Sequence, residues 1–82
     1  MGTTSVDPCA LRLAAQRLED AADLLSGVIG GPLAGPHAPE ALSRLLADLA
    51  RWQRAARETA AALRVGADRH TDAEDLAVRR LR

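Results

Sequence analysis

The sequence predicts an all-α fold: an antiparallel helical hairpin with a short first helix, 8–26, and a long second one, 39–80, suited to pairing into a four-helix bundle. Three observations carry that expectation. Two stretches repeat apolar residues at helical spacing. Between them, "GVIGGPLAGPHAP" (27–39) holds four glycines and three prolines, which forbid regular structure. Hydrophobic residues make up 48% of the chain, many of them alanine, and Trp52 is the only aromatic. Alanine favours helix and costs no side-chain entropy, but it fills a core poorly. With 82 residues the chain is one domain, 1–82, with a turn at 27–38 and a helical tail at 67–82. A chain of this size buries only about 60% of its unfolded surface.

The first helix opens at Asp7, a good N-cap, followed by Pro8, which suits the first helical position. Leu11, Ala14, Ala15, Leu18, Ala22 and Leu25 form one stripe, and Gly27 is a natural stop. Leu13 and Leu24 fall on the far side, as ordinary exposed leucines or as contacts to a second chain. Val28, Ile29 and Leu33 are expected to fold back over the end of the hairpin.

The second helix begins near Pro39 and Glu40. Its stripe is Leu42, Leu45, Leu46, Leu49, Trp52, Ala56, Ala60, Leu63, Ala67, His70 and Ala77. Read as a heptad, Leu42, Leu49, Ala56, Leu63, His70 and Ala77 mark one seam position, and Leu45, Trp52, Thr59, Gly66 and Ala73 the position three residues on. Leu42, Leu45, Leu49, Trp52, Ala56 and Leu63 are therefore the expected interface residues, with Trp52 as the anchor of a core or of a contact between chains. The pairs Arg44–Asp48, Arg54–Glu58, Arg64–Asp68 and Asp75–Arg79 are spaced to bond along the outer face. Gly66 is the weak point, costing about 1 kcal/mol relative to alanine. At 1.5 Å per residue the helices span roughly 28 and 60 Å. A tight hairpin would then leave residues from about 60 onward without an internal partner.

Eleven basic residues, all arginine, balance eleven acidic ones, which argues against general nucleic-acid binding. No apolar run reaches the length of a membrane-spanning helix, so direct membrane insertion is not expected. Met1 to Val6 carry no positive charge and no apolar core, unlike a general secretory signal peptide. Cys9, the single cysteine, is expected to be a small buried residue, and His37 a loop residue. His70 and Glu74 lie one turn apart, but no third and fourth group converges on them as a metal or catalytic site requires. No enzyme motif, cofactor or metal is expected.

The start "VDPCALRLAAQRLEDAADLL", the Gly/Pro-rich turn, and "LADLARWQRAARETAAALRVGADRHTDAEDLAVRRLR" together resemble the EspC-like branch of the WXG superfamily, small actinobacterial proteins of type VII (ESX) secretion. The resemblance implies helical hairpins that pair as homodimers or heterodimers, acting as exported substrates or as escorts of larger ones. It also implies a C-terminal Y-x-x-x-D/E export motif presented to the secretion ATPase. The protein would be cytoplasmic before export and then secreted or associated with the cell envelope. Two departures stand out. The turn has no W-x-G, and no tyrosine occurs, so that His70-x-x-x-Glu74 is the nearest match to the motif. The alternative is a cytosolic helical interaction or antitoxin-like regulatory module.

Overall fold

A computed structural model describes residues 6–81. Two helices, α1 (Pro8–Ile29) and α2 (Glu40–Arg80), flank a single 3-10 turn at Pro32–Ala34. No described residue lies in a strand, and the chain is an all-α helical hairpin. Asp7 caps α1 as its sequence predicts: its side chain accepts from the backbone N–H of Cys9 at 2.9 Å, with Pro8 in the first turn. Cys9 itself is exposed, not buried, because this first turn lies off the stripe that faces α2.

The helix does not stop at Gly27. It runs on to Ile29, and Gly30 supplies the C-cap, its N–H donating to the Ser26 carbonyl at 3.0 Å. Ile29 is the next step of the buried stripe after Ala22 and Leu25, and covering it offsets the roughly 1 kcal/mol that a glycine costs inside a helix. Gly31 is required by close approach: a Cβ there would come within 2.6 Å of the Gly27 carbonyl oxygen. Pro39 precedes α2 with extended backbone, and Arg79 and Arg80 sit in the last turn, where they complement the helix dipole.

Cross-helix bonds establish direction and register together. Arg12 pairs with Asp68 at 3.0 Å, Glu19 with Arg64 at 2.8 Å and Asp23 with Arg57 at 2.9 Å, while Gln53 donates to the Ala22 carbonyl at 2.7 Å. Partner numbers on α2 fall as those on α1 rise, so the helices are antiparallel. In this register Ile29 lies near residue 50 and Pro8 near residue 72. Helix α1 therefore covers the middle and far part of α2, not its first half. The linker explains the difference. It does not turn tightly; Pro32 to Pro39 run beside the start of α2 and cover Leu42. Helix α1 accompanies α2 as far as Thr71, and beyond it Asp72 to Arg80 are all exposed among the described residues. This overhang is nine residues, about 13 Å long.

The buried seam keeps Leu46, Ala56, Ala60 and Ala67 of the predicted stripe but leaves out Leu45, Trp52 and Ala77. On α2 the residues that face α1 are 42, 46, 49, 53, 56, 60, 63, 67 and 70, an alternation of four- and three-residue steps, with 50, 64 and 71 half-buried beside them. On α1 they are 11, 15, 18, 22, 25 and 29, with 8, 12, 19 and 21 half-buried beside them. The second seam position on α2 is thus four residues after the first, not three. Leu45 and Trp52 lie outside it, 54% and 51% exposed. Alanine dominates the inside: Ala15, Ala22, Ala60 and Ala67 are wholly buried, Ala56 nearly so, and no large side chain is fully enclosed. Small residues let helices approach to the short end of the usual 8–10 Å spacing. The result is a slab one helix thick, 67 × 25 × 13 Å. No helix among the described residues is long and apolar enough to cross a membrane.

Candidate interaction surfaces

The two broad faces of the slab differ in chemistry, and the heptad positions beside the seam explain why. On one side, Arg12 and Glu19 on α1 and Arg57, Arg64 and Thr71 on α2 recur every seven residues. Close packing of alanines brings these flanking side chains within reach of each other. Arg64 chelates Glu19, with Nε at 3.1 Å from Oε1 and Nη2 at 2.8 Å from Oε2, and also donates to Gln16 Oε1 at 3.2 Å. Arg12 adds a bond to Thr71 Oγ1 at 3.3 Å. Gln53 also reaches the Ser26 hydroxyl. The hydrogen bond from Arg64 is the main reason that the Glu19 carboxyl titrates below its usual 4.5, with partial desolvation opposing the shift.

Of the four i, i+4 pairs expected along α2, none forms. Arg64 and Asp68 turn instead to Glu19 and Arg12 on α1, Arg44 pairs with Glu40 at 2.8 Å, and Asp48 with Arg51. Carboxylates across the narrow seam compete with those one turn away, and bidentate geometry favours the crossing. These cross-helix residues were missed by sequence reasoning. The signal was present as complementary charges at seven- and four-residue steps on both helices: Arg12, Glu19 and Asp23 on α1 against Asp68, Arg64 and Arg57 on α2.

The other face is apolar. Leu45, Trp52, Thr59, Gly66 and Ala73 share one exposed heptad position, and Ala41, Asp48, Ala55, Ala62, Arg69 and Leu76 the next. At the linker end, Ala21, Leu24, Leu25, Val28, Leu49 and Trp52 line an open groove of about 510 Å³. Leu24 is 78% exposed at its rim. Of the six expected interface residues, then, Ala56 is buried inside the hairpin, and Leu42, Leu49 and Leu63 are half-buried along its seam. Leu45 and Trp52 remain on the surface. Leu42 meets the linker, while Leu49 and Trp52 meet at the groove.

The third surface is the overhang. His70 occupies the last step of the seam, and its Nε2 lies 3.1 Å from Glu74 Oε1. The two form a locked pair where α1 ends, with Glu74 on the exposed side of that boundary. Asp75 and Arg79 beyond them are exposed. Among the described residues, no three of His, Cys, Asp or Glu are grouped closely enough to hold a metal ion.

Comparison with family models, with curated proteins and with solved structures finds no match. The fold and surfaces define a helical hairpin with one face closed by its own ion pairs and one open and apolar.

Proposed function

We propose that this chain is a non-enzymatic interaction protein of a type VII (ESX) secretion system, a substrate or an escort of one. It associates with another helical hairpin, or with the helical domain of a larger substrate, through its apolar face. Its C-terminal overhang is the recognition element, offered to the secretion ATPase, and the protein is cytoplasmic before export and secreted after it. The observation that carries the reading is the division of labour on α2. Its middle packs on α1, while Asp72 to Arg80 continue as exposed helix that no described helix accompanies, and the His70–Glu74 pair marks the junction. Support for the secretion system itself comes from the sequence likeness in the opening "VDP" helix and the "ADR…TDA" finish.

The test is deletion of residues 72–82 in an actinobacterial host with an active type VII system. The last bond between helices is at Thr71, so the truncated hairpin should keep its fold and its association. Export, or co-export of the bound substrate, should be lost. Unchanged export without the overhang refutes the address. Constant retention of the full-length protein in the cytosol, with no co-exported partner, favours the regulatory module instead.

A further inference from the structure

We propose that the open face holds one free long-chain fatty acid, its tail in the groove at the linker end and its carboxylate received by Arg17 and Arg69. The site goes beyond the association reading and does not depend on it. Shape, charge and the placing of one glycine carry it.

The groove of about 510 Å³ has the volume of a small-ligand site, and its walls are apolar. Leu24, Val28 and Trp52 stand high along it, each about half exposed or more. Toward the far end the face steps down to small residues, Ala14 and Ala21 on α1 and Ala55, Ala62 and Gly66 on α2. From Trp52 to Gly66 this furrow runs about 21 Å, and Thr59 is the only polar side chain that α2 sets along it. Long, narrow and apolar, it has the outline of one extended acyl chain.

The charges on the face are uneven. Arg17 lies four residues before Ala21 and seven before Leu24, and Arg69 lies three after Gly66, so both share the open side with the groove. Both are exposed, and neither joins an ion pair among the described residues. The one acidic residue on this side of α2 between 41 and 76 is Asp48, which Arg51 already neutralises. The face therefore carries two uncompensated guanidinium groups and asks for an anion. Arginine's planar fork matches a carboxylate.

Charge and shape meet at Gly66. The bonds Arg12–Asp68 and Glu19–Arg64 set Arg17 across from Val65 and Gly66. The two arginines thus close the far end of the furrow on either side of the glycine. Gly66 has no left-handed backbone, and a Cβ added there meets nothing within 4 Å, so the hairpin itself does not call for glycine. A head group seated between the arginines does, because it needs a low floor. An apolar end and a doubly basic end, one chain length apart, select an amphiphile with a single anionic head. A bilayer would instead favour free basic residues around the apolar linker end, where Glu40 and Asp48 neutralise Arg44 and Arg51.

Trp52, the only tryptophan, is the reporter. Stearate carrying a nitroxide near its methyl end, and stearate carrying one near its carboxyl end, are titrated into the full chain below the concentration at which they form micelles. The methyl-end label should quench Trp52 strongly and saturably, and the carboxyl-end label far less. Arg17→Gln with Arg69→Gln should weaken binding about tenfold or more, and stearyl alcohol should compete at least about tenfold less well than stearate. Leu24→Asp, which puts a carboxylate at the groove rim, should abolish binding. Arg54→Gln, at an arginine equally free of ion pairs but off this face, should change nothing. All these side chains are exposed, so the hairpin survives the substitutions. Absence of quenching overturns the site, as do equal quenching by the two labels and an affinity indifferent to Arg17 and Arg69. Quenching that appears only with micelles or vesicles also overturns it, since the face then meets a lipid surface. Any of these failures leaves the export test standing, because that test reads the overhang and not the groove.

Discussion

Substituting leucine for Ala60 tests the alanine seam directly. Ala60 is wholly enclosed between the helices, so the three added carbons have no free volume to enter. Overpacking of this kind costs about 1–3 kcal/mol. The hairpin has one means of relief: it can splay. Splaying lengthens the Arg64–Glu19 and Arg57–Asp23 bonds, which span the seam within one turn on either side of residue 60. A domain of about 80 residues has a total stability of roughly 4–12 kcal/mol, and one with an alanine core sits low in that range. For a domain this small each kcal/mol moves the midpoint by about 4–8 °C, so Ala60→Leu should melt roughly 4–24 °C below the parent. Ala61→Leu is the control, since residue 61 is exposed and a surface change there should stay within about 0.5 kcal/mol. Thermal unfolding followed by far-UV circular dichroism, at one fixed protein concentration, reads both. If Ala60→Leu melts at or above the parent while Ala61→Leu is neutral, the seam does not run through residue 60 and the register derived from it is wrong.

Trp52→Ala should cost the isolated hairpin well under the 3–5 kcal/mol typical of a buried aromatic, because half of the indole is already exposed. In the parent protein its fluorescence should be readily quenched by iodide at nanomolar dilution and protected when a partner covers the face. Glu19 sets an acid limit. Its folded pKa lies below 4.5, so its contribution to stability is complete above pH 4.5 and disappears as pH falls through the folded value. Glu19→Gln should therefore melt lower than the parent at neutral pH, and the gap should close at acid pH; a gap that is constant with pH contradicts the Arg64 contact as its source.

Much of the fold was legible in the sequence. The helix pair, the Asp7–Pro8 start and the exposure of Leu13 and Leu24 follow from spacing and backbone chemistry, and the structure has them; the Gly/Pro segment breaks the helix as expected but not all of it is irregular, since α1 runs to Ile29 and Pro32–Ala34 form a 3-10 turn. Register was not legible from hydrophobic size. Leucine and tryptophan at 45 and 52 outweigh glutamine at 53 and alanine at 60 on any scale of hydrophobicity, so the second seam position read from bulk is drawn through the large residues. Narrow packing selects the opposite stripe, because two helices joined by alanines come closer than two joined by leucines. The charges would have settled it. Arg57 and Arg64 find their carboxylates on α1, at Asp23 and Glu19, only if α2 is turned so that Ala56 and Ala60 face inward. The reach of α1 differs for a separate reason: helix lengths alone say nothing of the linker, and Pro32 to Pro39 run beside the start of α2 and push α1 toward the far end.

The same rotation explains why the outer face matters energetically. Fully burying a leucine or a larger side chain is worth about 1.5–3 kcal/mol, and a methyl group far less. The hairpin encloses mostly methyl groups and leaves Leu24, Leu45 and Trp52 half or more in water. Each ion pair on the closed face is also partly exposed and adds little by itself. The largest stabilisation still open to this chain therefore comes from covering the apolar face, and a ligand that binds only the folded hairpin raises its stability by mass action. One element, α2, carries two adjacent heptad stripes: the inner one closes on α1, and the outer one, from Ala41 to Leu76, is exposed, so under the proposed reading any association would couple to folding through this helix.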